Sequence, residues 1–295
     1  MKISKIVLTG VFTFFFCSLF AQVIQPTGIV NRAWVKNENG VTGNVSNRKP
    51  IPYAHLREAD VFFAKRVWRC IDLKEKINLP LYYPADPDSV RDRLSLTMVL
   101  WNAVVVTKEL KGYTDEDMKI EQTPADIISS NAKTDTLRNQ FNPKTGDNDS
   151  TVVVHEQFKA KNAMKYWLVE DWFFDKQRSV MDVRIIAMSP IVTKFIIDPN
   201  TGESVEKGLG SLFWVYFPAA REVLARYECF NRFNDAERRS YDDVFWKRMF
   251  GSYVIKEENV YDRSIADYTK GLDALLESER VKDELFIKEH DLWEY

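Results

Sequence analysis

The chain of 295 residues is poor in the residues that hold metals and cross-link small folds: it has three histidines and three cysteines. Structural zinc sites need four Cys or His ligands at short spacing. Cys70 and Cys229, His55, His155 and His290 offer no such cluster, so a zinc centre is excluded and no cofactor is implied. Charge of one sign is also lacking, with 41 basic against 43 acidic residues. A near-neutral balance has no basic footprint for nucleic acid, which is excluded as a partner. No GxSxG, HExxH, phosphate-binding loop or dinucleotide fingerprint occurs. Asp147-Asn148-Asp149 begins like a calcium loop, but it lacks the glycine at the sixth position and has Phe158 at the twelfth.

Long apolar runs are missing too. Ile6 to Phe16 is apolar but too short to cross a bilayer, which takes about 20 residues. With Lys2 and Lys5 before it and Leu19-Phe20-Ala21 after it, residues 1–21 read as a secretory signal peptide. Bulky Phe16 before Cys17 argues against lipidation there. Removal of residues 1–21 leaves 39 basic and 43 acidic residues, a net charge of −4. The product is expected to be exported and soluble, with no direct membrane span. Export permits a Cys70–Cys229 disulfide; two buried free thiols are the alternative.

Residues 22–49 are rich in Asn, Gly and Val without helical periodicity and read as an extended arm or linker. Residues 50–295 read as a single α+β domain: a largely antiparallel central sheet flanked by N-terminal and C-terminal helices. Apolar spacing predicts a helix over His55 to Asn78, with stripes through Leu56, Ala59, Phe63, Val67 and Cys70 and through Val61, Ala64, Trp68 and Ile71. Lys65, Arg69 and Lys76 would mark its basic outer edge. A second helix is predicted over Ser89 to Leu110. Thr123-Pro124 reads as a helix start. Strands follow at Val152–Phe158, Tyr166–Phe174, Val180–Met188, Ile191–Ile197 and Gly210–Phe217, with turns at Asn142–Gly146 and Asp198–Gly202. Helices return after Pro218, after a Ser240/Asp243 capping pair, and from Ser264/Asp267 onward as one long C-terminal helix.

The most informative stretch is Glu170 to Pro190. Its first strand is apolar on both faces, with Tyr166, Leu168, Trp172 and Phe174 on one and Trp167, Val169 and Phe173 on the other. Such a strand must be covered on both sides, inside a layered domain or against another chain. The hairpin, with loop Asp175–Ser179, would set Glu170 opposite Arg184. Glu170, Asp171 and Asp175 could in principle serve as paired carboxylates for hydrolysis. Their alternating faces and the nearby Lys176, Arg178 and Arg184 favour ion pairing instead. Abundant Trp, Phe and Tyr fit a core and also the centres of protein interfaces.

Three long strings carry a resemblance. Pro52–Val61, Lys65–Arg69 and Ile77–Pro84 form the first; Glu170–Ser179 with Val183–Ile186 form the second; Tyr241–Phe250 with Ser252-Tyr253 form the third. In order and over most of the mature chain, they resemble the gliding-motility N proteins of Bacteroidota and their type IX secretion counterparts. The resemblance implies a non-catalytic periplasmic subunit that self-associates in a ring with an outer-membrane lipoprotein, the K subunit. It also implies coupling to the M subunit of an inner-membrane-anchored motor, for protein export and gliding. It brings no catalytic residues. Candidate contact residues are Trp68 and Arg69, Trp172 and Arg178 of the hairpin, and Trp246 and Arg248; the arm at 22–49 is a further candidate for gripping the lipoprotein. Two other classes stay open. An enzyme would need a pocket around Glu170, Asp171 and His155. A glycan- or ligand-binding module would use exposed Tyr82, Tyr83 and Trp214.

Overall fold

The computed structural model describes residues 48–291, apart from 86–88, 91–92, 132, 141–149, 157, 198–203, 232–233, 235–236 and 238, together with the strand pairs in the N-terminal region. Two compact units are present, Met1–Asn44 and Val45–Tyr295. In the first, Val35–Lys36 pairs antiparallel with Thr42–Gly43. The signal peptide, most of the arm, and the turns at 142–146 and 198–202 lie outside the described residues.

The second unit is built on one antiparallel sheet of six strands. They are β1 (Val61–Asp72), β2 (Ala163–Asp175), β3 (Val180–Ile197), β4 (Ser204–Ser211), β5 (Val215–Tyr216) and β6 (Tyr253–Glu257). Their order is β4-β3-β2-β1-β6, with β5 pairing further along β3. Besides the single helical turn Leu79–Tyr82, the α-helices among the described residues are α1 (Leu96–Trp101, running on as a π-turn through Asn102–Val106), α2 (Pro124–Asn131), α3 (Phe217–Arg226), α4 (Tyr241–Trp246), α5 (Ile265–Tyr268) and α6 (Leu272–Asp291).

Both faces of β2 are covered by the chain itself. On one face Ile71, Tyr166, Leu168 and Met188 share a core with residues of α1, α3 and α4. The same face continues to Val67 and Val254, which pack on Val281 and Leu285 of α6. On the other face Trp68, Val169 and Ala187 lie with Trp214, flanked by Tyr113 and Trp167. The two-sided apolar pattern of β2 is thus that of a central strand in a layered domain.

The α+β class holds, but the N-terminal helix over His55 to Asn78 does not. That segment is β1, paired on one side with β2 and on the other with β6. A strand buried on both faces is apolar at nearly every position, and two adjacent helical stripes can be drawn through such a run. The consequence for Arg69 is large: it points into the sheet–helix layer, 7 % exposed, with Nε donating to Ser252 Oγ at 2.9 Å. Lys65, assigned to the same outer edge, instead pairs with Glu257 at 2.6 Å.

The other corrections are smaller. Residues 89–110 open with a tight pair, Ser89–Val90 against Arg93–Leu94, before Ser95 caps α1. The hairpin loop is one residue shorter than the expected Asp175–Ser179, because Asp175 pairs with Val180; the register from there sets Asp171 opposite Arg184 and Glu170 opposite Ile185, with a bulge only beyond Glu170, before Val169. The expected strand Ile191–Ile197 is the continuation of β3, and Gly210–Phe217 is divided between β4 and β5. The last helix is divided into α5 and α6, with the extended Thr269 ending α5 and Gly271, at φ +63°, leading into α6. Val152–Phe158 appears as Ser150–Glu156, paired with Lys133–Gln140, a strand for which the sequence has no strong signal. The capping boxes at Ser240/Asp243 and Ser264/Asp267, and the helix start at Pro124, are present. Cys70 and Cys229 are separate buried thiols.

Candidate functional site

Glu170 sits on the core face of β2 with no solvent exposure. Its carboxylate accepts from Arg248 Nη2 at 3.0 Å on each oxygen and from Trp172 Nε1 at 3.2 Å. Arg248 follows α4 in a left-handed backbone conformation, φ 51°. That turn carries its guanidinium back over the ring of Trp172, 5.5 Å from the centroid, and of Phe250 at 5.4 Å. Burial holds the Arg69 guanidinium below its usual range, and the nearby Glu170 charge opposes that shift.

Beside this pair, Arg221 of α3 and Asp242 of α4 form a buried two-pronged ion pair at 2.7 and 3.1 Å. The Arg221 guanidinium packs against a pair of touching rings, 4.5 Å from Tyr53 and 4.8 Å from Trp246, whose centroids are 5.6 Å apart. Burial raises the Tyr53 phenol, against the pull of Arg221. The capping box at Ser240 fixes the start of α4, with Asp243 N donating to Ser240 Oγ at 3.1 Å and Ser240 N to Asp243 Oδ2 at 2.9 Å. It thereby aims Asp242, Phe245 and Trp246 toward the sheet. In the hairpin loop Arg178 bridges Asp175 at 2.7 Å and Asp182 at 3.0 Å. Arg178, with help from the Gln177 and Arg178 amides, keeps the Asp175 carboxyl below the ordinary range.

These groups wall a cleft of about 490 Å³, whose lining includes Tyr53, Trp172, Phe245 and Trp246 with Arg178, Arg221 and Arg248. Four of the candidate contact residues, Trp172, Arg178, Trp246 and Arg248, therefore meet in one place. Trp68 and Arg69 stand elsewhere. Trp68 is on the opposite face of the sheet, donating to Glu116 at 2.9 Å under Lys256 at 4.3 Å. Tyr53, Arg221 and Asp242 are cleft residues that sequence reasoning missed. Nothing in local spacing links positions so far apart.

Each of the three neighbouring carboxylates has an arginine: Glu170 has Arg248, Asp171 has Arg66 at 2.7 Å, and Asp175 has Arg178. These carboxylates are therefore held in ion pairs. Of the aromatics considered for ligand binding, Trp214 is buried, while Tyr83 is exposed and edge-on to Tyr82. A second, more apolar cavity of about 550 Å³ lies between Ile77, Leu81, Phe230, Val244 and Met249. Burial pushes the Cys229 thiol at its edge up to about 12, far from a reactive thiolate. Among the described residues no group of three or more His, Cys, Asp or Glu could hold a metal ion.

No curated protein matches the chain. The model of the family described as gliding motility associated protein GldN matches residues 56–294, which takes in β1 through α6 and most of the cleft. With a match over most of its length, the chain belongs to the gliding motility associated protein GldN family.

Proposed function

We propose that this protein is a non-catalytic structural subunit of the type IX secretion system. In this reading it is exported to the periplasm and forms a ring there with an outer-membrane lipoprotein, the K subunit. The ring couples, through the M subunit, to the motor that crosses the envelope, in support of protein export and gliding motility. The observation that carries the reading is the family match, which spans nearly the whole second unit rather than a short motif. Two features support it. The cleft concentrates the residue types that dominate protein interfaces, and its carboxylates are engaged by arginines rather than poised for proton transfer. Among the described residues no helix is long and apolar enough to cross a membrane.

The test is an affinity pull-down of tagged residues 22–295 from the native envelope in mild detergent, followed by electron microscopy of the eluate. Rings that contain a lipoprotein are the expected result. A clean monomer without an envelope partner would overturn the assignment and turn attention to small ligands of the cleft.

A further inference from the structure

One wall of the cleft belongs to neither the sheet nor the helices. Residues 48–54 form no strand or helix, and they contribute Pro52, Tyr53 and Ala54 to the lining. Lys49 and Ile51 each precede a proline, which favours an extended backbone. Three anchors hold this strap. Arg48 Nη1 donates to Asp243 Oδ2 at 2.9 Å. The Tyr53 ring packs on Trp246 and on the Arg221 guanidinium, 5.6 and 4.5 Å between centres. Arg184 Nη2 donates to the Ala54 carbonyl at 2.7 Å. The strap is thus seated as a peptide is, with one aromatic anchor between two polar ones.

The connection from the strap to the sheet is a hinge. Among the described residues, the hydrogen bonds of residues 55–59 are local, such as Arg57 Nε to Asp60 at 2.8 Å. The chain is fixed again where Lys176 N donates to the Asp60 carbonyl at 2.9 Å, at the start of β1. Residues 55–60 can extend over roughly 20 Å. On either side of this hinge a large apolar side chain is uncovered, Ile51 at 58 % and Phe62 at 70 % exposure. Among the described residues of the second unit no element precedes the strap, so it can leave one cleft and enter another without unthreading.

We propose that the strap exchanges between copies: residues 48–54 of one chain seat in the cleft of the next, Tyr53 on its Arg221 and Trp246 and Arg48 on its Asp243. The contacts are the ones already made within a chain, so exchange needs no new complementarity. In dilute solution the hinge holds the strap at an effective concentration on the order of millimolar, and the closed form prevails. In an assembly the neighbouring cleft is as near as the chain's own. Burial of Ile51 and Phe62 between chains then favours exchange. Strap and cleft are different surfaces, so the contact is head to tail and can repeat. The exchange rests on the self-association proposed above, and rings whose straps stay in their own chains would overturn the exchange alone.

The experiment places p-benzoylphenylalanine at Tyr53, which keeps a ring on Arg221, in the chain used for the pull-down. Ordinary and heavy-nitrogen preparations are mixed in equal amounts and irradiated, once dilute and once concentrated into the self-associated form. Mass spectrometry then reads the isotopes of strap peptides joined to α4 peptides. Dilute chains should give same-isotope pairs only, whereas in the assembled sample mixed pairs should equal same-isotope pairs. Same-isotope pairs alone in an assembled sample would overturn the proposal, as would a chain that stays monomeric at every concentration. A second measurement uses two single variants. Tyr53→Ala spoils the strap and leaves the cleft; Trp246→Ala weakens the cleft and leaves the strap. Each alone should self-associate at least tenfold more weakly, and mixing them should restore a one-to-one pair on analytical ultracentrifugation. Two variants that unfold cooperatively yet form no pair when mixed would equally overturn it.

Discussion

Glu170 and Arg248 are unequal partners, and the difference can be measured. Glu170 has no exposure, whereas the Arg248 side chain keeps 32 % of its own. Removing the cation strands a buried carboxylate with only the Trp172 N–H; removing the carboxylate leaves a guanidinium that water can reach. Arg248→Met is therefore expected to cost about 3 kcal/mol in urea unfolding and Glu170→Gln only about 1 kcal/mol. The double variant should recover part of the Arg248→Met loss. Equal costs for the two single variants would show that Glu170 does not depend on this pair. Asp175 yields a pH-dependent expectation. Its folded-state pKa is depressed, first by Arg178, so its contribution is full above the unfolded carboxylate value near ~3.9 and is lost as pH falls through the folded value. Asp175→Asn should lower stability at neutral pH, and the gap to the unaltered protein should close in acid, as pH falls through the depressed folded value. A gap that persists unchanged in acid would assign the effect to packing.

At the scale of elements, what could be read in advance followed from local chemistry. The two serine–aspartate capping boxes, Pro124 at a helix start, and the β2–β3 hairpin each leave a mark within four to ten residues, and each is present. Position in the sheet leaves no such mark. Val61–Asp72 becomes a strand because β2 and β6 flank it, and β6 comes from a segment nearly 200 residues later. Likewise the four-residue turn that pairs Asp175 with Val180 sets Asp171, not Glu170, opposite Arg184, and Glu170 is held by Arg248 instead. The Trp172, Arg178, Trp246 and Arg248 group was legible as residue types in matching strings; its convergence depends on that register. Gly271, at φ +63°, leads into α6 after the extended Thr269 that ends α5. An added Cβ would meet nothing within 4 Å, so Gly271→Ala tests the backbone alone. A cost of about 1 kcal/mol in urea unfolding is expected. A neutral result would mean that α5 and α6 are separated by packing and not by this residue.

At the scale of the whole molecule, the ring proposed above would require two different surfaces that meet head to tail around a closed rotation. The net charge of −4 expected once residues 1–21 are removed opposes such association only weakly. The cleft is a good candidate for one of the two surfaces because Trp246 is 42 % exposed over a fixed Arg221 and Arg178 stands at the rim. Both also contribute to the fold: Arg178 neutralises the buried Asp175 carboxylate, and the Trp246 ring packs on the buried Arg221 guanidinium. Arg178→Glu with Trp246→Ala should therefore lower the urea midpoint while leaving a cooperative unfolding transition. It should weaken self-association or lipoprotein capture in the pull-down by at least tenfold, as expected when a central aromatic and its charged rim are lost together. Raising salt should weaken the unaltered protein in the same direction, because the rim charges are screened. A folded double variant that assembles and secretes normally would remove the cleft and its hairpin from the interface. The second surface would then have to be sought on the opposite face of the sheet, around Trp68, or on the outer side of α6, where Leu272, Leu276 and Phe286 are exposed.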